Sequence, residues 1–166
     1  MYEGRIAQHN IYHFNNYTMK QAVKTLVMAI CCAMATVMPA NADNNKPINV
    51  TELPAKAQAV LSQHFNDQKV SFATIETGLI DKSYDVVLQN GTKIEFDKKG
   101  NVTEVECKQG AVPAALIPQA ISTYLQTNQA GQTVRKIEFN KNEYEVELSN
   151  GLDITFNKRF QVIDID

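Results

Sequence analysis

From residue 84 onward, apolar and polar positions alternate with a period of two. Tyr84, Val86 and Leu88 fall on one side of an extended segment, and Asp85 and Gln89 fall on the other. After Asn90-Gly91 the alternation resumes, with Ile94 and Phe96 on the apolar side and Lys93 and Glu95 on the polar side. Alternation interrupted by Asn-Gly predicts two antiparallel strands joined by a type I′ turn, which needs positive φ at both central residues. One face is then core and the other solvated, as in an antiparallel sheet covered on a single side.

The pattern recurs. With an offset of 60, YDVVLQNGTKIEFDKKGNVTEVE (84–106) aligns without gaps to YEVELSNGLDITFNKRFQVIDID (144–166), with 9 of 23 positions identical. A further strand follows each hairpin, at 102–106 and 162–166. The first is reached through Asp97-Lys98-Lys99-Gly100, where glycine suits the left-handed residue of a type I turn plus bulge. Phe160 stands at the corresponding place in the second copy, so that turn must differ or carry strain. Upstream of each hairpin, apolar residues sit at helical spacing in 54–65 (Ala57, Val60, Leu61, Phe65) and 116–125 (Leu116, Ile117, Ala120, Ile121, Tyr124, Leu125). Strands are expected at 69–75 and 133–139. The fold class is therefore α+β: two tandem α-β4 repeats, 48–107 and 112–166, forming a largely continuous antiparallel sheet of about eight strands with helices on one face.

Residues 1–42 follow a different logic. Met19–Lys24 is basic, Thr25–Met38 is an apolar run of 14 residues, and Pro39-Ala40-Asn41-Ala42 puts small residues at −3 and −1 of a cleavage point before Asp43. That order reads as a secretory signal peptide over 19–42, too short in its apolar part for a membrane span. The 18 residues before Met19 form an upstream extension, with Met19 read as the initiator. Setting aside Arg5, Lys20, Lys24 and Glu3 leaves 13 basic and 17 acidic residues, a net charge of −4 for 43–166. Mild acidity argues against nucleic acid and anionic membrane surfaces as partners. Only Cys107 remains outside the leader, so no disulfide staples the domain and stability rests on its core. A monomer is expected, with Cys107 as the one route to a linked dimer.

Leu53-Pro54, a helix, a strand and then Tyr-x-Val-x-Leu-x-Asn-Gly-x-x-Ile-x-Phe resemble the beta-lactamase-inhibitor-like, PepSY-like family of small secreted proteins. The resemblance covers nearly all of 50–166 in two copies. It implies a periplasmic protein of tandem repeats and a binding or inhibitory role. The chain departs from the inhibitor in having no Trp and no cysteine pair for a disulfide.

Chemistry is sparse. His64 is the one histidine after residue 42 and lies late in the first helix, where a helix-end role suits it better than catalysis or zinc ligation. No glycine-rich phosphate loop, nucleophile elbow or metal cluster occurs in 43–166, so neither enzyme activity nor a cofactor is expected. The residues that face outward carry the functional expectation. Val87, Lys93 and Glu95 in the first copy, with Glu143, Glu145, Glu147, Asp153 and Phe160 in the second, are the candidate surface for a periplasmic protein partner. Two rival classes stay open: a small apolar ligand held between helix and sheet, and a hydrolase using Glu145 and Glu147, about 7 Å apart on one strand face.

Overall fold

A computed structural model of the chain describes residues 45–78 and 81–166. The expected signal peptide and the extension before it lie outside the described residues. Nine strands make one sheet in chain order, β1-β2-β3-β4-β5-β6-β7-β8-β9, and every neighbouring pair is antiparallel. The strands are β1 (Asn45–Ile48), β2 (Val70–Thr77), β3 (Lys82–Leu88), β4 (Lys93–Asp97), β5 (Val102–Glu106), β6 (Val134–Phe139), β7 (Glu143–Leu148), β8 (Asp153–Asn157) and β9 (Val162–Ile165). Helix α1 (Ala55–His64) separates β1 from β2, and α2 (Gln119–Asn128) separates β5 from β6. The protein is α+β.

Strand β1 makes nine strands where the hydrophobic pattern predicts about eight. Asn45-Lys46-Pro47-Ile48 has no alternation, and only Ile48 is partly covered. It is a strand because β2 offers it an edge: Lys46 pairs with Ile75 and Ile48 with Ala73.

The core lies where the alternation puts it. Tyr84, Val86, Leu88, Ile94 and Phe96 are buried, as are Val146, Leu148, Ile154 and Phe156, and all belong to one cluster with Ala57, Leu61, Ile121 and Leu125 of the helices. Phe96 and Phe156 have no exposed surface, and truncating either to Ala costs about 3–5 kcal/mol. The registers repeat as the residues do. Tyr84 pairs with Phe96 and Val86 with Ile94, while Tyr144 pairs with Phe156 and Val146 with Ile154.

The hairpin turns correct one expectation. Asn90 and Asn150 do not take positive φ; among the described residues only Phe160 and five glycines do. Each Asn-Gly turn is the three-residue kind that closes on a left-handed glycine. Gly91 N–H donates to the Leu88 carbonyl (3.0 Å) and Leu88 N–H to that of Thr92 (2.8 Å). The turns after β4 and β8 close identically, Gly100 N–H to Asp97 (2.9 Å) and Phe160 N–H to Asn157 (2.8 Å). The second therefore keeps its form with strain at Phe160, φ 60°.

Candidate functional site

With the helices and core on one face, the other face of the sheet presents the alternate residues of each strand. Cross-strand register, invisible in any single strand, arranges them into rows. One row runs Thr74, Asp85, Glu95, Glu104, Glu138, Glu145, Thr155, Asp164, each opposite the next on β2 to β9. Five successive strands thus place a carboxylate directly opposite another, over about 19 Å at the usual strand spacing. Like charges directly opposite each other destabilise a sheet.

Two lysines in the adjacent row moderate this. Lys93 Nζ lies 2.5 Å from Glu95 Oε1, and Lys136 reaches Glu104 at 3.3 Å and bonds Glu138 more closely. The hydrogen bond that Lys93 donates to Glu95, against the desolvation of burial, raises the pKa of Lys93. Lys136 is raised too, although its own burial pulls the other way, by Glu138 and Glu104. The lysines do not neutralise the row. Burial first and the Glu95 charge second push the Asp85 carboxyl up. Glu104 is pushed up by burial and then by Glu95, with Glu138 adding and Lys136 opposing. Asp85 and Glu104 are therefore harder to ionise here than in water.

Beside it, the second row begins with an apolar pair, Phe72 opposite Val87, before Lys93, Glu106, Lys136, Glu147 and Asp153. Phe72 is 54% exposed. Around Lys136, Glu138, Glu145, Glu147 and Asp153 the face forms a shallow hollow of about 230 Å³.

Of the residues expected at a partner surface, Val87, Lys93, Glu95, Glu145, Glu147 and Asp153 all lie on this face. Glu143 lies on it too, at the margin opposite Asn157. Phe160 lies elsewhere. Its ring stacks on Tyr144 (centroids 5.2 Å, 11° between planes), and Tyr144 packs against the core cluster. Asp85, which alternation already assigns to the outer face, completes the rows together with Glu104, Glu106, Lys136 and Glu138, which strand alternation alone did not single out. Phe72 was missed as well, although polar Thr74 and Glu76 at the following alternate positions already assign it to the outer face.

The other chemical candidates stay apart. Glu145 accepts a hydrogen bond from the Asn140 amide at 2.7 Å. Cys107 is 5% exposed, and burial pushes its thiol up against a hydrogen bond with Thr92. Among the described residues no group of three or more His, Cys, Asp or Glu is placed to hold a metal ion. No described helix is long and apolar enough to cross a membrane. On the core side, beside α1, Val50, Leu61, Phe65, Val70 and Leu88 line an open hollow of about 400 Å³.

Comparison with known proteins supplies the context. A family model described as "Putative beta-lactamase-inhibitor-like, PepSY-like" matches residues 82–164. A "putative periplasmic protein" of the DUF2874 family from Bacteroides vulgatus is 53% identical; the match covers 76% of this chain and 99% of that one, with a TM-score of 0.74. A "putative calcium-regulated periplasmic protein" from Bacteroides thetaiotaomicron is 50% identical over 76% of this chain and 99% of that one, with a TM-score of 0.73. A second Bacteroides vulgatus protein, described as periplasmic and of unknown function, is 37% identical over 74% of this chain and 98% of that one, TM-score 0.70. No protein of curated function matches the chain.

Proposed function

The chain belongs to the beta-lactamase-inhibitor-like, PepSY-like family, and from that premise we propose that it is a periplasmic, non-catalytic binding protein whose open sheet face docks a basic surface of a partner protein. The single observation that carries this reading is the carboxylate row. Four consecutive like-charged cross-strand neighbours, Asp85/Glu95, Glu95/Glu104, Glu104/Glu138 and Glu138/Glu145, weaken the sheet that bears them. Features that break a local rule without a structural return are expected at functional positions. A lysine or arginine patch laid across the row would replace that repulsion with charge-assisted hydrogen bonds and steer encounter. Phe72 and Val87, next to the acidic stretch, supply the apolar anchor that charge alone does not. Family resemblance makes a periplasmic enzyme a suitable target, and export through the 19–42 leader would bring the chain to it.

The test is affinity capture from the periplasm of the native host, with cross-linking, using the wild-type chain and a Glu104→Arg/Glu145→Arg variant. The wild type should retain a partner cross-linked through the open face, and the variant should lose it. Equal capture by both removes the open face from the account.

The hollow beside α1 supports a second reading, a small apolar ligand held between helix and sheet. Five apolar residues of its lining fit that class, although Gln58, Ser62, Asn66 and Gln68 line it too and it is open to solvent. A thermal-shift gain with fatty acids or detergents, abolished by Val70→Glu, would favour it. The relative described as calcium-regulated raises divalent cations as ligands of the same carboxylates. The absence of a three-ligand group among the described residues places that below the protein partner.

A further inference from the structure

The two ends of the sheet are finished differently. Strand β9 pairs with β8 through Ile165↔Ile154, Asp164↔Thr155 and Val162↔Phe156. This is the β5–β4 register, Val105↔Ile94, Glu104↔Glu95 and Val102↔Phe96, advanced by sixty residues with its irregularity in the same place. What β5 does with its other edge is on display: it pairs with β6 through Glu104↔Glu138, Val105↔Ile137 and Glu106↔Lys136. Among the described residues, no strand pairs with the corresponding edge of β9.

That edge is equipped for pairing. Asp166 and Asp153 exchange both backbone hydrogen bonds at 3.0 Å. By antiparallel alternation Asp164 also faces β8; Ile163 sits in the irregularity, and the N–H and C=O groups of Ile165 point away from the sheet. The side chains of Ile163 and Ile165 are 55% and 48% exposed, whereas Val105, the counterpart of Ile165 in β5, is fully buried. At the other end β1 carries Lys46 and Pro47, the residues that blunt an edge. Strand β9 has no such guard except charge. Two β9 strands paired antiparallel about Asp164 would set Asp164 against its own copy, which opposes self-association.

We propose that the β9 edge accepts an extended segment of a partner protein as a tenth, antiparallel strand. The segment carries a basic residue followed by an apolar one, as Lys136-Ile137 does in β6. The apolar residue sits opposite Ile165 and the basic one opposite Asp166, from where it also reaches Asp164. Lys136 shows the geometry, being opposite Glu106 and 3.3 Å from Glu104. Main-chain hydrogen bonds supply affinity in strand addition, and alternate side chains supply specificity. This site does not depend on the open face.

A capped synthetic peptide of residues 133–140 (TVRKIEFN) serves as the probe, titrated into the isotope-labelled chain. Saturable binding is expected, with amide exchange slowed at Ile165 and shift changes confined to β8 and β9. Replacing the lysine of the peptide by Glu should weaken it about fivefold, the worth of one partly exposed charge pair. Ile165→Pro should abolish binding, and Asp164→Lys/Asp166→Lys should reverse the preference between the two peptides. The proposal is overturned by unchanged affinity in both variants, by shift changes centred on β5 to β7 (strand exchange), or by no saturation at millimolar peptide. A concentration-dependent dimer of the chain without peptide also overturns it, because the edge then belongs to a second copy.

Discussion

The turns after β4 and after β8 have the same hydrogen bonds and opposite tolerances. At Gly100 a Cβ would meet the Ala57 backbone nitrogen at 2.8 Å and the Pro54 Cβ at 2.9 Å, because the start of α1 presses on the turn. Lys56 then donates to the Asn101 side chain, tying helix to turn. At the equivalent position the chain accepts Phe160, 36% exposed, in a left-handed conformation costing about 1–2 kcal/mol. Stacking on Tyr144 offsets about 0.5–1.5 kcal/mol of that. Lys158, 3.9 Å from the centre of the same ring, adds a cation–π contact. Glycine is demanded twice over in the first turn, by φ and by space, and only by φ in the second. There the Phe160 ring finds room, 36% exposed and stacked on Tyr144, where a side chain at Gly100 would run into the start of α1.

The largest effect expected follows from making the first turn like the second. Gly100→Phe should lose about 3 kcal/mol or more in denaturant unfolding, through overpacking added to backbone strain. Gly100→Ala should retain most of that loss, since the Cβ alone makes the clash. A loss below ~1 kcal/mol for the alanine variant would mean that α1 yields easily and the contrast is superficial.

The reverse exchange separates strain from stacking. Phe160→Gly relieves φ and loses the ring, so the two changes nearly cancel. Phe160→Ala loses the ring and keeps the strain. The glycine variant should therefore be the more stable of the two by about 1–2 kcal/mol. Equal stabilities would show that the turn rearranges around residue 160.

A smaller difference lies at the head of each turn. Asp97 accepts from Lys99 N–H (2.8 Å), Asn101 N–H (2.9 Å) and the Asn101 side chain (2.6 Å). Slight burial opposes ionisation, but these bonds prevail and hold its carboxyl below the usual range. Asn157 does the same work uncharged, accepting from Arg159 N–H (2.9 Å) and Gln161 N–H (3.0 Å). A depressed carboxyl contributes stability that is present above its unfolded pKa and lost as pH falls through the folded one. Asp97→Asn should therefore cost about 0.5–1 kcal/mol at neutral pH, with the gap to wild type closing in acid. A gap that does not change with pH would assign the cost to geometry and not to charge.

How much of this was legible in the sequence depends on how local its cause is. The hairpins, the helices and the buried face follow from residue types a few positions apart, so alternation and helical spacing reveal them. The conflict at Phe160 was legible too, because glycine occupies the matching place sixty residues earlier. Strand β1 was not, since its existence depends on a vacant edge of β2 and not on its own residues. Nor was the carboxylate row. Glu104 and Glu138 are unremarkable members of TEVE and KIEF until the β5–β6 register sets them opposite each other. The turn form was misread for a related reason, since Asn-Gly is compatible with two closures and the flanking register selects between them.

The central claim, that the open face keeps its acidic row for a basic partner at a cost to the fold, is tested most directly on Asp85→Asn/Glu104→Gln. This variant leaves the Lys93–Glu95 and Lys136–Glu138 pairs intact. Both carboxyls are raised in the folded chain, so their ionisation opposes folding at neutral pH, and wild-type stability should rise as pH falls through their raised values. Neutralising them should therefore stabilise the chain by about 0.2–1 kcal/mol at pH 7, with the difference vanishing in acid. The same variant should retain less partner in the capture experiment. A variant that is less stable than wild type at pH 7, or one that captures the partner undiminished, would contradict the account.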